Sequence, residues 1–182
     1  WDDAAGGYLP WRRRPCLYGT WIAEIMLQNT TVAAVHGRWE AFLSRFPDLQ
    51  SLASAPQADV LAAWSGLGYY RRARLLHAAA REVVASGGDL PTSREGWRRL
   101  PGVGEYAAAA IASIGLGARE AAIDANVRRV LTRWRCVDAG AAAALRPRDL
   151  REFAGAHVPA DRPGDWNQAL MDLGATICTA RR

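Results

Sequence analysis

The chain has 182 residues, 50% of them hydrophobic and only 9 of them proline, so it can bury a real core, as one compact unit or two small packed lobes, and disorder is not expected. Its formal net charge of +5 favours a polyanionic partner, although only weakly, since many basic proteins bind nothing acidic. All 23 basic residues are arginine, so no lysine amine can form a Schiff base, and mechanisms that need one are excluded.

Cysteine usage and hydropathy predict the cellular setting. The three cysteines, Cys16, Cys136 and Cys178, are widely spaced and odd in number, which argues against a disulfide framework and for a reducing compartment. No apolar run approaches the length of a membrane span, and the first residues do not have the form of a signal peptide. We expect a soluble cytoplasmic protein with no membrane partner.

Apolar residues recur at the helical spacing through nearly the whole chain. One face of the first long pattern carries Val32, Val35, Trp39, Phe42 and Phe46, and residues 57–67 and 71–85 behave in the same way. Alternating β-branched runs are missing. Turn signals at FPDL, APQ, SGLGYY, SGGDLPTS, LPGVG and LGARE divide the middle of the chain into about six short helices, so the predicted fold is all-α.

The last part of the chain begins with a low-complexity stretch, DAGAAAALRPRD, that is typical of a connection between helices. A final helix follows, with Trp166, Leu170 and Leu173 on one face. The three histidines, His36, His77 and His157, do not have metal-ligand spacing and are interpreted as structural or surface residues.

Glu24 is the only acidic residue between Asp3 and Glu40. It lies in an otherwise apolar helix, for which Thr20 is the predicted N-cap. A carboxyl group there would be partly desolvated and more easily protonated, which is the state that a general acid requires. The ordinary alternative is a glutamate on a polar helix face.

Gly102, Val103 and Gly104 form a glycine-rich turn directly before an alanine-rich helix. Such a turn can expose successive backbone N–H groups, to which the helix adds its own unpaired amides and the positive end of its dipole. The pattern is therefore a candidate phosphate-binding hairpin. An ordinary turn between two helices explains it equally well.

Asp124 follows an apolar segment at the point where a new helix with Val127, Val130 and Leu131 begins. It is suited to be the N-cap of that helix, and the alternative is that it is a catalytic carboxylate. The two roles are compatible, because a carboxylate held by helix amides stays ionised. A protonated acid and an ionised carboxylate on either side of a phosphate-binding hairpin are the groups that glycosidic chemistry uses.

Six segments, in order and spacing, resemble the helix-hairpin-helix DNA glycosylases, and most closely the adenine DNA glycosylases of the MutY type. They are LPWRRRP, WIAEIMLQNTTVAAV, LAAWSGLGYYRRARLLHAAA, LPGVGEYAAAAIASIGLG, IDANVRRVL and WNQALMDLGATICT. The resemblance covers almost the whole chain. It implies an all-α fold of two helical lobes with the active site in the cleft between them. Residues 20–118 would form a six-helix lobe with the hairpin, and residues 1–19 with 119–182 the second lobe.

The resemblance also implies roles for single residues. Glu24 would protonate the flipped base, and Asp124 would stabilise, or transiently bond to, the sugar cation left at C1′. Tyr106, where relatives that also cleave the strand carry lysine, would support the aspartate side of the site, and Asn126 would orient groups around Asp124. Simpler alternatives are that Tyr106 covers the first turn of its helix and that Asn126 has no function.

Further residues would contact DNA by the same resemblance. Arg12 would reach into the base pocket, or be a solvated phosphate-side arginine, and Tyr69 would fill the gap beside the mispaired purine with help from Leu67. Tyr70 is expected to face the core. Gln28 and Asn29 would enter the duplex, while Gly102, Val103 and Gly104 grip phosphate.

Some positions depart from the family pattern. Asn29 replaces a usual glutamine, Ala125 a usual glycine and Ala107 a common threonine. These departures leave the acid and the carboxylate in place and bear on which base is removed. Cys178 corresponds to the first of four cysteine ligands of a 4Fe-4S cluster in relatives. One thiolate cannot hold a cluster, so no cofactor is expected in this chain as given, and a cluster is expected if the natural protein continues past Arg182.

The sequence therefore predicts a monomeric, monofunctional DNA glycosylase of base excision repair. Its partner would be double-stranded DNA in which adenine is mispaired with 8-oxoguanine or guanine, and no small-molecule substrate is expected. Two alternatives stay open, namely excision of thymine from G·T mismatches and a non-catalytic DNA-binding module.

Overall fold

The computed structural model describes residues 9–13, 15–135 and 146–180, and its regular elements in these ranges are α-helices, as predicted. In chain order they are α1 (Pro10–Arg13), α2 (Leu17–Leu27), α3 (Val32–Arg45), α4 (Leu49–Ser54), α5 (Gln57–Ala63), α6 (Arg71–Ala85), α7 (Arg94–Arg99), α8 (Glu105–Leu116), α9 (Ala125–Trp134), α10 (Pro147–His157) and α11 (Pro163–Thr176). Cys136 and most of the predicted low-complexity connection lie outside the described residues.

Helix α2 runs through the largest of the three hydrophobic clusters in the described residues and packs against α8, α3 and α6. The cluster is rich in buried aromatic rings, with the centroids of Trp21 and Trp97 5.4 Å apart. Because neighbouring helices surround α2, its residues from Gly19 to Met26 are buried. The carboxyl group of Glu24 is therefore largely shielded from solvent. The predicted stripe of α3 is buried from Val35 to Phe46, but Val32 at its first turn is exposed.

A smaller cluster joins α9, α10 and α11 through the buried residues Val127, Val130, Leu131, Leu150, Ala154 and Leu170. Helix α11 also packs against α8, which connects this cluster with the largest one. Leu9 and Trp11 belong to the largest cluster. The boundaries of the two lobes stay a prediction.

Asn167 fixes the segment that leads from α8 to α9. Its fully buried amide donates to Ser113 Oγ at 3.0 Å and to the carbonyls of Glu120 and Pro163 at 2.8 and 3.0 Å, and its oxygen accepts from the Ala122 N–H at 2.8 Å. All the polar atoms of this side chain are thus satisfied by three segments of the fold. These hydrogen bonds fix the position of the segment that leads to Asp124.

Two local predictions are wrong. Helix α2 begins three residues before Thr20, and Cys16 is its N-cap, with the thiol accepting from the Gly19 N–H at 3.3 Å. Thr20 is buried inside the helix. Tyr70 is 40% exposed instead of buried, because it precedes the first turn of α6 at the surface. Among the described residues, no helix is both long and apolar enough to span a membrane.

Candidate active site

A cavity of about 710 Å³ lies where the largest hydrophobic cluster meets the one that joins α9, α10 and α11. The predicted residues Arg12, Gln28, Asn29, Gly102, Gly104, Tyr106, Asp124 and Asn126 all line it. They come from α1, the turn after α2, the hairpin before α8 and the start of α9. The fold therefore brings together at one cavity most of the residues that were singled out from four separate sequence segments.

Glu24 is not among the residues that line this cavity, and only 6% of its surface is exposed, but it is close enough to Tyr106, Arg12 and Asp124, which do line it, for these groups to change its pKa. Its Oε2 is buried and has no hydrogen-bond partner in the part of the chain that the structure describes. Burial raises the pKa of this carboxyl group to about 7. The negative charge of Asp124 raises this pKa further, whereas the Tyr106 hydroxyl and the charge of Arg12 lower it. Glu24 is thus a carboxylic acid that holds its proton close to neutral pH.

Asp124 is the N-cap of α9. One carboxylate oxygen accepts from the Val127 N–H at 2.7 Å, and the other from the Asn126 side-chain amide at 3.3 Å. The helix amides and dipole favour the negative charge at this position. The predicted N-cap is therefore confirmed, and the same carboxylate faces the cavity.

Asn126 is held in place by Arg129, whose Nη2 donates to Asn126 Oδ1 at 2.8 Å. The same guanidinium donates to the carbonyls of Gly174 and Cys178, both at 2.6 Å. Because Asn126 Oδ1 accepts from arginine, its amide nitrogen must point to Asp124. The amide thus links the Asp124 carboxylate, through Arg129, to the end of α11.

Arg12 forms a two-point ion pair with Asp172 of α11, with N–O distances of 2.7 and 3.0 Å. Both side chains are largely buried and both line the cavity. The interpretation of Arg12 as a solvated arginine is therefore wrong. Asp172 was not singled out from the sequence, because a carboxylate on the helix face opposite Leu170 and Leu173 is expected to point to solvent.

Tyr106 occupies the first turn of α8 between the two acids. Its hydroxyl donates to Met171 Sδ at 3.6 Å, and burial, together with the nearby charges of Glu24 and Asp124, holds the pKa of the phenol well above its usual value. The phenol is therefore a neutral hydrogen-bond donor in this site. Met171, which also lines the cavity, is a second residue that sequence reasoning missed.

The hairpin before α8 has the backbone geometry that its glycines predict. Gly102 has a φ of +80°, and Gly104 is the N-cap of α8, which has no side-chain cap. The amides of the first turn of α8 are consequently open to an anion. Val103 differs from the prediction, because its side chain is 5% exposed and its N–H already donates to the Leu100 carbonyl at 3.2 Å. Its role is to close the turn.

The loop of residues 66–69 presents Tyr69 at the surface. Tyr69 is 65% exposed, as a ring that inserts between bases must be, and it has a left-handed φ of +47°. Leu67 is only 4% exposed and packs in the largest cluster, so the prediction that its side chain assists Tyr69 at the DNA is wrong. On the facing turn, Asn29 is exposed with a φ of +55°, and Gln28 Nε2 donates to the Gly102 carbonyl at 3.5 Å.

Cys178 lies just after α11, where Arg133 donates to its Sγ at 3.1 Å. Among the described residues, no three histidine, cysteine or acidic side chains group to hold a metal ion. Cys178 is the one cysteine at this place among the described residues, and a single sulfur does not fit a four-thiolate cluster. His77 is buried and His36 and His157 are exposed, and none of them lines the cavity.

The chain matches the family model described as HhH-GPD superfamily base excision DNA repair protein over residues 22–154. It is 44% identical over 192 residues to the adenine DNA glycosylase of Homo sapiens, covering 100% of this chain and 35% of that protein. It is 40% identical over 185 residues to the adenine DNA glycosylase of Mycolicibacterium smegmatis, covering 100% of this chain and 62% of that protein. The chain thus spans only part of the length of these relatives.

Solved structures agree with this assignment of fold. A thermostable thymine-DNA glycosylase superposes with a TM-score of 0.87 and 31% identity, over 96% of this chain and 81% of that one. An endonuclease III in a non-covalent DNA complex superposes with a TM-score of 0.81 and 18% identity, over 93% and 78% of the two chains, and shares the fold. The all-α fold is confirmed, and the chain belongs to the HhH-GPD superfamily of base excision DNA repair proteins.

Proposed function

We propose that the chain is the catalytic core of a monofunctional adenine DNA glycosylase, which removes adenine mispaired with 8-oxoguanine or guanine. The observation that carries the proposal is the pairing of Glu24 with Asp124. Glu24 is buried with a pKa of about 7, and its carboxyl group is within the electrostatic field of an N-cap carboxylate that faces a cavity. The names of the most similar curated relatives support adenine as the base.

The chemistry follows from the two protonation states. Adenine leaves poorly as an anion, so transfer of the Glu24 proton to a ring nitrogen lets the C1′–N9 bond break with a neutral base leaving. The Asp124 carboxylate faces the positive charge that grows on the sugar and stabilises it. Water then adds to C1′, and its proton passes to the ionised Glu24 carboxylate. The balance of the reaction is hydrolysis of one N-glycosidic bond.

DNA would be held by backbone and charge. The open amides at the start of α8 suit a phosphate, and Tyr69 at the surface of the 66–69 loop suits the gap left by an extruded base. With no lysine in the sequence, strand cleavage through a lysine imine is not part of the proposal. We propose a monomer acting on duplex DNA.

Thymine excision from G·T mismatches is a second candidate. The thermostable thymine-DNA glycosylase matches most of this chain at 31% identity. The two candidates share the acid and the carboxylate and differ in the base that the cavity accepts.

Single-turnover reactions on three duplexes distinguish the candidates. They carry adenine opposite 8-oxoguanine, adenine opposite guanine, or thymine opposite guanine, and abasic sites are revealed by alkali. The proposal expects alkali-dependent cleavage of the two adenine duplexes and no covalent trapping by borohydride. Cleavage of the thymine duplex alone would support the second candidate, and binding without any excision would support a DNA-binding module.

A further inference from the structure

The side chain of Arg72 joins two segments that sequence reasoning treated separately. Arg72 lies in the first turn of α6 and is only 7% exposed. Its Nη1 donates to the carbonyls of Ile25 at 3.1 Å, Met26 at 2.7 Å and Gln28. These are carbonyls of the last turn of α2, which no further helical N–H satisfies. A positive charge at this end also interacts favourably with the negative end of the helix dipole, so Arg72 caps the helix that carries Glu24.

The other terminal nitrogen reaches the loop that carries Tyr69. Arg72 Nη2 donates to the carbonyls of Leu67 at 3.2 Å and Gly68 at 3.3 Å, and to Thr30 Oγ1 at 2.7 Å. Thr30 Oγ1 in turn lies within 3.4 Å of the Gln28 carbonyl and 3.5 Å of the Leu67 carbonyl. One planar guanidinium thus fastens the 28–30 turn and the 66–69 loop to each other.

The plane of the guanidinium is also used. Its carbon lies 5.4 Å from the ring centroids of both Trp64 and Tyr69. Trp64 is fully buried, so one ring anchors Arg72 in the core and the other is the exposed ring of the loop. Tyr69 keeps a left-handed backbone, which is unfavourable for a residue with a side chain and persists only where its surroundings hold it.

We propose that Arg72 is a positioning residue that sets the inserting ring of Tyr69 in register with the end of helix α2. The ring that would separate the base pair and the helix that carries Glu24 are then held at a fixed distance from each other. The inference rests on the proposed function and extends it from the reacting groups to the coupling between base extrusion and excision. Lysine cannot replace this arrangement, because it has no fork to reach both segments.

The test is Arg72→Lys, which keeps the charge and removes the fork, with Arg81→Lys on the exposed part of α6 as the matched control. Single-turnover excision is measured on adenine opposite 8-oxoguanine and on adenine opposite an abasic-site analogue, where no pair has to be broken. Misplacement of the ring should slow excision from the paired duplex by about 10- to 100-fold and from the unpaired one by less than about threefold. Arg81→Lys should leave both rates unchanged.

Base extrusion is followed separately with 2-aminopurine beside a 2′-fluoro-adenosine that resists excision. Arg72→Lys should reduce the rise in fluorescence while the wild-type chain retains it. Equal slowing of excision on both duplexes, or no slowing on either, would overturn the inference. If the wild-type chain excises neither adenine, the proposed function fails, and unchanged fluorescence in Arg72→Lys would then overturn the inference independently.

A milder substitution guards against loss of folding. Thr30→Val removes one acceptor of Arg72 and leaves the guanidinium in place. Thr30→Val should also slow excision from the paired duplex more than from the unpaired one, but by a smaller factor than Arg72→Lys. Combined with Tyr69→Ser, either substitution should add little further slowing, because residues that act through one step are not additive. Full additivity would contradict a role exerted through Tyr69.

Discussion

Burial raises the pKa of the Glu24 carboxyl group to about 7, and the negative charge of the nearby Asp124 carboxylate raises this pKa further. Asp124 itself is bound by the Val127 N–H and the Asn126 amide. Burial therefore favours the protonated form of Glu24, while the Asp124 carboxylate accepts hydrogen bonds from the start of α9. Glycosidic bond cleavage needs this pair of states.

Asp124→Asn should remove the charge and leave the fold nearly unchanged. Asparagine is as good an N-cap as aspartate, and its oxygen can still accept from the Val127 N–H, although its NH₂ group then faces the Asn126 amide nitrogen and that one hydrogen bond is lost. Excision of adenine should fall by about 10²- to 10³-fold or more, because the cation at C1′ loses its counter-charge. Single-turnover rates and a melting curve check both halves. Wild-type excision in the folded variant would remove Asp124 from the chemistry.

Glu24→Gln should make the protein more stable at neutral pH. The unfolded carboxyl group ionises near its ordinary pKa of 4.5, whereas the folded one holds its proton to a pKa of about 7, so stability falls as pH rises between these values. The cost above pH 7 is on the order of 3 kcal/mol. The gain in melting temperature from Glu24→Gln should therefore be large at pH 8 and small at pH 4.5. A gain independent of pH would contradict the burial of an ionisable group.

Asp172→Asn tests the ion pair with Arg12. The positive charge of Arg12 lowers the pKa of Glu24, and the carboxylate of Asp172 now balances that charge at 2.7 Å. Without Asp172, Arg12 should act on Glu24 more strongly and lower its pKa. The alkaline fall in excision rate should then begin at a lower pH than in the wild type. A shift to higher pH would mean that Arg12 is not the charge that Glu24 senses.

Gly174→Ala should displace the start of α9. An added Cβ would come within 2.6 Å of Asn126 Cβ and 3.0 Å of Asn126 Cα, and backbone cannot yield as a flexible side chain can. Excision should slow by about tenfold or more while duplex binding changes less, because the carboxylate moves and the hairpin does not. Gly155→Ala on α10 has no atom within 4 Å of its new Cβ and is the control. Equal effects of the two substitutions would exclude this explanation.

Gly102→Ala should weaken binding to duplex DNA of any sequence. Alanine at a φ of +80° is strained, and its Cβ would lie 2.9 Å from Leu75 Cβ, so the turn before α8 must shift. We expect about a tenfold loss of affinity for an undamaged duplex by fluorescence anisotropy. Gly37→Ala, in open space on α3, should leave affinity unchanged. Unaltered binding in Gly102→Ala would mean that the hairpin does not hold phosphate.

Sequence periodicity was sufficient for the helices, since Val35, Trp39 and Phe42 are buried as their spacing requires. The N-cap role of Asp124 was also local information. Arg12–Asp172 could not be predicted, because the two residues are 160 positions apart and only packing of α1 near α11 joins them. Leu67 was misplaced for the opposite reason, since a loop position gives no indication that its side chain turns into the core.

The pH dependence of single-turnover adenine excision, with the chain well below its dissociation constant for DNA, tests most directly whether Glu24 acts as the acid. Under these conditions the profile reports the ionisation of the free protein. The rate should be constant below about pH 6 and fall about tenfold per pH unit well above the Glu24 pKa of about 7, and Glu24→Gln should abolish that dependence. A rate that stays level or rises from pH 6 to about pH 9 would contradict the assignment.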